Sequence, residues 1–192
     1  MPLRPIPDIP LLRTPFYFLR HGESTANRAN VIAGGIDAPL TERGIAQAEA
    51  AAALMTGIPL GSVYASTLSR AIATALPFAR PRGLTVGTLA GLGERNWGIL
   101  ENRPLDERIG GPEAEVPGAE PWNTFVARTW RALGEIDGPR PVLIAAHSGT
   151  LRALRQGLGI DDGAKGVNAE PLIFRPPAGP GMEWTYEKVT RR

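Results

Sequence analysis

The 192-residue chain contains no cysteine. That absence excludes a disulfide framework, a thiolate nucleophile, an iron–sulfur cluster and cysteine-ligated zinc. Histidine is almost as scarce, with only His21 and His147. Charge of one sign is lacking as well: 21 Lys and Arg face 19 Asp and Glu, a formal +2, with no block of like charge. Such a balance argues against a nucleic-acid binder and leaves local arginine chemistry, such as a phosphate or carboxylate clamp. No apolar run reaches membrane-spanning length, and the opening MPLRPIPDIPLLRTP is broken by prolines where a signal peptide would have its apolar core. The expectation is a cytoplasmic protein with no membrane partner. Hydrophobic residues at 43% and charged residues at 21% fit one ordinary folded domain over residues 15–192, preceded by an extended lead-in at 1–14.

Apolar runs and turn signals predict the elements. Phe16, Tyr17, Phe18 and Leu19 read as a buried strand ending at Arg20. Thr41 is a plausible N-cap for an alanine-rich helix over 41–55. GSVYAS and LTVGTL read as strands on either side of the helix TLSRAIATALPFA. The helix WNTFVARTWRALGEI follows, with Trp122, Phe125, Val126, Trp130 and Leu133 on one face. PVLIAAH is the strongest buried-strand signal and runs into the helix SGTLRALRQGLG, and EPLIFRPPAGPGMEWTYEKV reads as two strands around a turn. This alternation implies an α/β fold, with a mostly parallel central sheet flanked by helices on both faces. Residues 99–121 have weak periodicity and read as a substrate-loop insertion. The terminal strand pair leaves an edge on which a homodimer is possible.

Ligands of such sheets bind beyond the carboxyl ends of the strands. His21 follows one predicted strand and His147 follows another. Two imidazoles placed there can share one pocket, one to attack and the other to polarise or orient the substrate; the other reading is that each is a capping or satisfied surface histidine.

Around them, Arg20, His21, Gly22, Glu23, Ser24 and Asn27 resemble the signature of the histidine phosphatase superfamily, the branch with an Arg-His-Gly motif that includes the cofactor-dependent phosphoglycerate mutases. The resemblance continues in the family's order through GGIDAPLTERGIAQA, VYASTLSRAIATA, LGERNWGIL and IAAHSGTLRAL, over about residues 15–160. It implies a single-domain three-layer sandwich of the phosphoglycerate mutase-like type. It also implies His21 as nucleophile, Glu94 as proton donor and His147 as the second catalytic histidine. Phosphate contacts would come from Arg20, Arg70 and Asn27, from Gly22 through close backbone approach, and from Ser148. Ser24 either touches phosphate through its hydroxyl or caps the next helix. The substrate loop would include Ala33, Gly34, Gly35, Trp97, Glu101, Arg103 and Arg108, for each of which packing or a solvated charge is an equal reading. Asp161 and Asp162 read as loop residues.

No metal and no other cofactor is expected, because arginine and histidine neutralise the charge that a cation would otherwise bridge. The partners expected are a small phosphorylated substrate and inorganic phosphate as product. The mutases of this family grip the substrate carboxylate with paired arginines in a longer insertion. Here 52 residues separate Glu94 from His147 and none of them form an adjacent arginine pair, which favours phosphomonoester hydrolysis over phosphoglycerate mutase-type transfer. A non-catalytic phospho-ligand binder is a third reading, although binding alone requires no proton donor.

Overall fold

A computed structural model describes residues 8–108, 110–111, 113–160 and 163–191. Asp161 and Asp162 lie outside these. Strand β1 (Phe16–Arg20) is followed by a short helix α1 (Thr25–Arg28), then α2 (Glu42–Leu54), β2 (Ser62–Ala65), α3 (Ser69–Ala79) and β3 (Val86–Thr88). The second half holds α4 (Trp122–Gly134), β4 (Val142–Ala146), α5 (Ser148–Gly157), β5 (Leu172–Arg175) and β6 (Thr185–Lys188). One six-stranded sheet has the order β3-β2-β4-β1-β5-β6. Strands β3, β2, β4 and β1 run parallel, β5 pairs antiparallel with β1, and β6 pairs antiparallel with β5.

Successive side chains of a strand face opposite ways, so β1 and β4 feed two cores. Phe16, Phe18, Val142 and Ile144 pack with Leu133 of α4 and with Leu151 and Leu154 of α5. Tyr17, Leu19, Leu143 and Ala145 pack on the other face against Ala51 and Ala52 of α2 and Ala75 and Phe78 of α3. The result is three layers, with small alanines letting α2 pack closely on α3.

Several sequence expectations are revised. Residues 10–13 are not extended: Pro10–Arg13 form a 3-10 turn, and Leu11 and Leu12 are buried in the core beside Phe16 and Leu133. The proline at the first helical position favours such a turn, and the core supplies the burial that a local reading cannot see. On α4 the fully buried positions are Phe125, Thr129, Ala132 and Leu133. Trp130 is half-buried, lying over Gly157 of α5, where a Cβ would overlap its ring. The insertion at 99–121 is tied down by bridges between Val31 and Pro104 and between Trp97 and Ala119.

Candidate active site

Parallel pairing of β1 with β4 sets Arg20 opposite Ala146. The next residue on each strand is a histidine, and His21 N–H donates to the carbonyl of Ala146 at 2.9 Å. The two rings therefore meet, with centroids 5.2 Å apart and planes inclined by 58°. Both are buried.

The His21 tautomer follows from its partner. Nδ1 lies 2.7 Å from the carbonyl oxygen of Gly22, which only accepts, so Nδ1 carries the proton. A neutral ring then has its lone pair on Nε2. Burial holds the His21 pKa well below its ordinary value; Arg20 and Arg70 push the same way, against the Gly22 hydrogen bond. Desolvation thus outranks the arginines as the cause. His147 is also held neutral, by burial first and then by His21, Arg70, Arg20 and Arg128. Its Nε2 lies 2.7 Å from Ser66 Oγ at the end of β2, and Leu68 N–H donates to the same oxygen.

Arg70, on the first turn of α3, is 1% exposed. Its Nη1 donates to Ile36 O at 2.7 Å and its Nη2 to Gly34 O at 2.9 Å. Arg20 Nη1 donates to Gly166 O at 2.9 Å. The Nε atoms of both arginines are buried without a partner, and so is Nδ1 of His147. Buried donors are almost always satisfied, so three orphans beside His21 mark a place for an anion with several oxygens. Burial lowers the pKa of both arginines, an effect that Glu94 opposes in each.

Glu94 is half-buried and held at both oxygens. Oε1 accepts from Arg95 N–H at 2.8 Å, and Oε2 accepts from Gly149 N–H, on the first turn of α5, at 3.0 Å. A Cβ on Gly149 would strike that carboxylate. A side chain at this position would therefore displace the carboxylate.

The remaining expected residues divide. Asn27 Oδ1 accepts from Ser24 N–H and from Asn168 Nδ2, each at 3.2 Å, which leaves its Nδ2 free to donate. Ser24 is a helix cap: its Oγ accepts from Asn27 N–H at 3.2 Å in a reciprocal capping box. Gly22 does not offer its N–H to an anion, because that group donates to Thr74 Oγ1 at 3.0 Å. It is glycine because a Cβ would run into the carbonyl of Gly44 on α2. Ser148 opens α5 and is half-buried. Gly34 has φ +52 and gives its carbonyl to Arg70, and Gly35 N–H donates to Glu101 at 2.8 Å. The loop containing Ala33 thus braces the clamp. Trp97 is buried, and the guanidinium groups of Arg95 and Arg108 lie over its ring, 4.4 and 5.1 Å from its centroid. Arg103 is exposed and paired with Glu107 at 2.9 Å. Of these loop cations, Arg108 is the one whose charge reaches Arg20.

Asn168 is a residue the sequence did not flag. Its Nδ2 also donates to His21 O at 2.8 Å, pinning the loop from 147 positions away in the chain. Among the described residues no three His, Asp or Glu side chains gather as a metal site, and no helix is long and apolar enough to cross a membrane. A separate cleft of about 810 Å³, lined by Arg95, Glu115, Trp122 and Asn123, lies along the insertion and not around the histidines. The candidate site is marked by the paired imidazoles and orphaned donors, not by that volume.

Comparisons with known proteins agree with this geometry. Over 145 residues the chain is 34% identical to a probable phosphoglycerate mutase of Yersinia pestis, covering 67% of each protein. The fold matches a mycobacterial glucosyl-3-phosphoglycerate phosphatase with a TM-score of 0.77 at 24% identity, over 91% of this chain and 97% of the other. It matches the alpha-ribazole phosphatase of Shigella flexneri with a TM-score of 0.75 at 23% identity, over 93% and 96%. A model of the histidine phosphatase superfamily, branch 1, matches residues 16–164, and the chain belongs to that superfamily.

Proposed function

We propose that the protein is a metal-independent phosphomonoester hydrolase that works through a phosphohistidine on a small phosphorylated metabolite. The observation that carries this is His21: a buried, neutral imidazole with Nδ1 tied to a carbonyl, Nε2 free, and three unpartnered donors around it.

In the first step Nε2 of His21 attacks phosphorus as the bond to the leaving oxygen breaks. The equatorial oxygens take hydrogen bonds from Arg20 and Arg70, with His147 and Asn27 adding two more. Glu94, as general acid, passes a proton to the departing alkoxide. In the second step Glu94, now a carboxylate, takes a proton from water as the water oxygen attacks phosphorus and the P–N bond breaks. Inorganic phosphate leaves and the enzyme is restored. The arginines supply the charge neutralisation that a metal would otherwise provide.

Phosphate release from p-nitrophenyl phosphate and from a panel of phosphorylated metabolites, with EDTA present, tests this reading. Turnover should survive EDTA and vanish in His21→Ala. The identity with a probable phosphoglycerate mutase favours a second reading, phosphoryl transfer between phosphoglycerates. Exchange on phosphoglycerate with added bisphosphate, exceeding net phosphate release, would select it.

A further inference from the structure

Glu94 is held not only at its carboxylate but also at its backbone, by a residue on another element. Arg128 of α4 donates through Nη2 to Glu94 O at 3.0 Å and through Nη1 to Gly91 O and Gly93 O, both at 2.9 Å. Its other two N–H groups meet Glu120 in a fork, Nε to Oε1 at 2.6 Å and Nη2 to Oε2 at 2.8 Å. All five guanidinium donors are thereby used. The pair is largely shielded, with side-chain exposures of 26% for Arg128 and 16% for Glu120.

Glu120 is itself fixed to the same segment. Its carbonyl accepts from Arg95 Nε at 2.7 Å, and its N–H donates to Asn96 O at 3.0 Å. One helical turn before Arg128, Phe125 lies under the guanidinium at 4.7 Å and is fully buried. Phe125 also backs Gly149, the residue whose N–H holds Glu94 Oε2. Backbone and carboxylate of Glu94 are therefore set from one bracket, built of α4, α5 and residue 120.

We propose that Arg128, oriented by Glu120, is a positioning residue that aims the Glu94 carboxyl at the leaving oxygen. This rests on the phosphatase reading, in which Glu94 supplies that proton. A planar fork is required, because a lysine ammonium cannot serve three carbonyls and a bidentate carboxylate at once. Misplacing a proton donor by about an ångström costs on the order of 100-fold. In the first step that cost falls only on a leaving group that needs the proton, whereas in the second step, where Glu94 takes a proton from water, it falls alike on every ester.

The test compares the first step alone, read as leaving-group release in a single rapid-quench turnover, on glycerol phosphate, whose alkoxide must be protonated, and on p-nitrophenyl phosphate, whose phenolate leaves unaided. In Arg128→Lys, first-turnover release from glycerol phosphate should fall about 10- to 100-fold while that from p-nitrophenyl phosphate stays near wild type. Glu94→Gln should show the same pattern more strongly. An equal fall in this first step on both esters, or no fall on glycerol phosphate, overturns the proposal. If Arg128→Lys fails to fold by thermal melt, Glu120→Gln carries the same comparison, since the three carbonyl contacts of Arg128 remain. Wild-type protein that hydrolyses neither ester refutes the phosphatase reading instead. The bracket is then judged on phosphoryl exchange between phosphoglycerates, where Arg128→Lys at wild-type rate overturns it and a 10- to 100-fold loss supports it.

Discussion

Ser66 Oγ stands 2.7 Å from Nε2 of His147, and both groups are fully buried. Ser66 Oγ accepts from Leu68 N–H and keeps its own proton to donate to Nε2; in that arrangement the imidazole proton sits on Nδ1, the atom without a partner. His147 then presents a donor to a bound oxyanion. A hydrogen bond of this kind contributes about 1 kcal/mol net, and an orphaned buried acceptor costs about 1–3. Ser66→Ala should therefore lower kcat roughly tenfold with the fold intact by circular dichroism. Wild-type kcat in that variant would contradict the assignment.

Both histidines have pKa values held well below the ordinary 6.5, chiefly by burial. The acid limb of kcat/KM should accordingly lie below pH 6.5 rather than at it. For stability the sign follows from the unfolded chain, which takes up protons near 6.5 while the folded protein does not. The stability due to neutral burial is full above that pH and declines as pH falls from 6.5 towards the folded pKa values. Chemical denaturation across this range measures it, and a midpoint that rises on acidification would be the wrong sign.

Gly22 and Gly44 are packed backbone to backbone, and a Cβ on Gly44 would collide with the carbonyl of Glu23. Gly44 sits in the first turn of α2, where alanine gains about 1 kcal/mol of helix propensity. Overpacking costs about 1–3 kcal/mol and should win. Gly44→Ala is thus expected to lower the melting temperature and to raise KM, because the His21 loop leans on this contact. A stabilised variant would show that the contact is slack.

Leu11 is fully buried in the core formed by α4, α5 and β1. Leu11→Ala should cost about 2–5 kcal/mol by denaturant unfolding, as for any core leucine. A surface lead-in would tolerate it within about 0.5 kcal/mol.

His21 and His147 are readable because a buried strand ends where each begins, and parallel pairing of two such strands leaves little freedom in where they meet. The α/β alternation is readable for the same reason. Glu94 and Arg70 carry no local signal beyond their charge, and the family pattern supplied them. Ser66, Thr74, Asn168 and Arg128 were not singled out. Their partners lie 81, 52, 147 and 34 positions away, and side-chain contacts across such separations leave no periodicity. Trp97 looks like a ring for substrate, yet it is buried with two guanidinium groups stacked over it. The prolines of residues 1–14 predicted an extended segment, and burial of Leu11 and Leu12 overrode that preference.

The central claim is that His21 Nε2 becomes covalently phosphorylated. The most direct measurement is a rapid quench into alkali, where a phosphohistidine survives, after mixing the enzyme with a labelled phosphomonoester, followed by peptide mapping. The account predicts label on the peptide containing His21, formed before phosphate is released and absent from His21→Ala. Steady turnover with no label on His21, or a His21→Ala variant that hydrolyses at the wild-type rate, would contradict it.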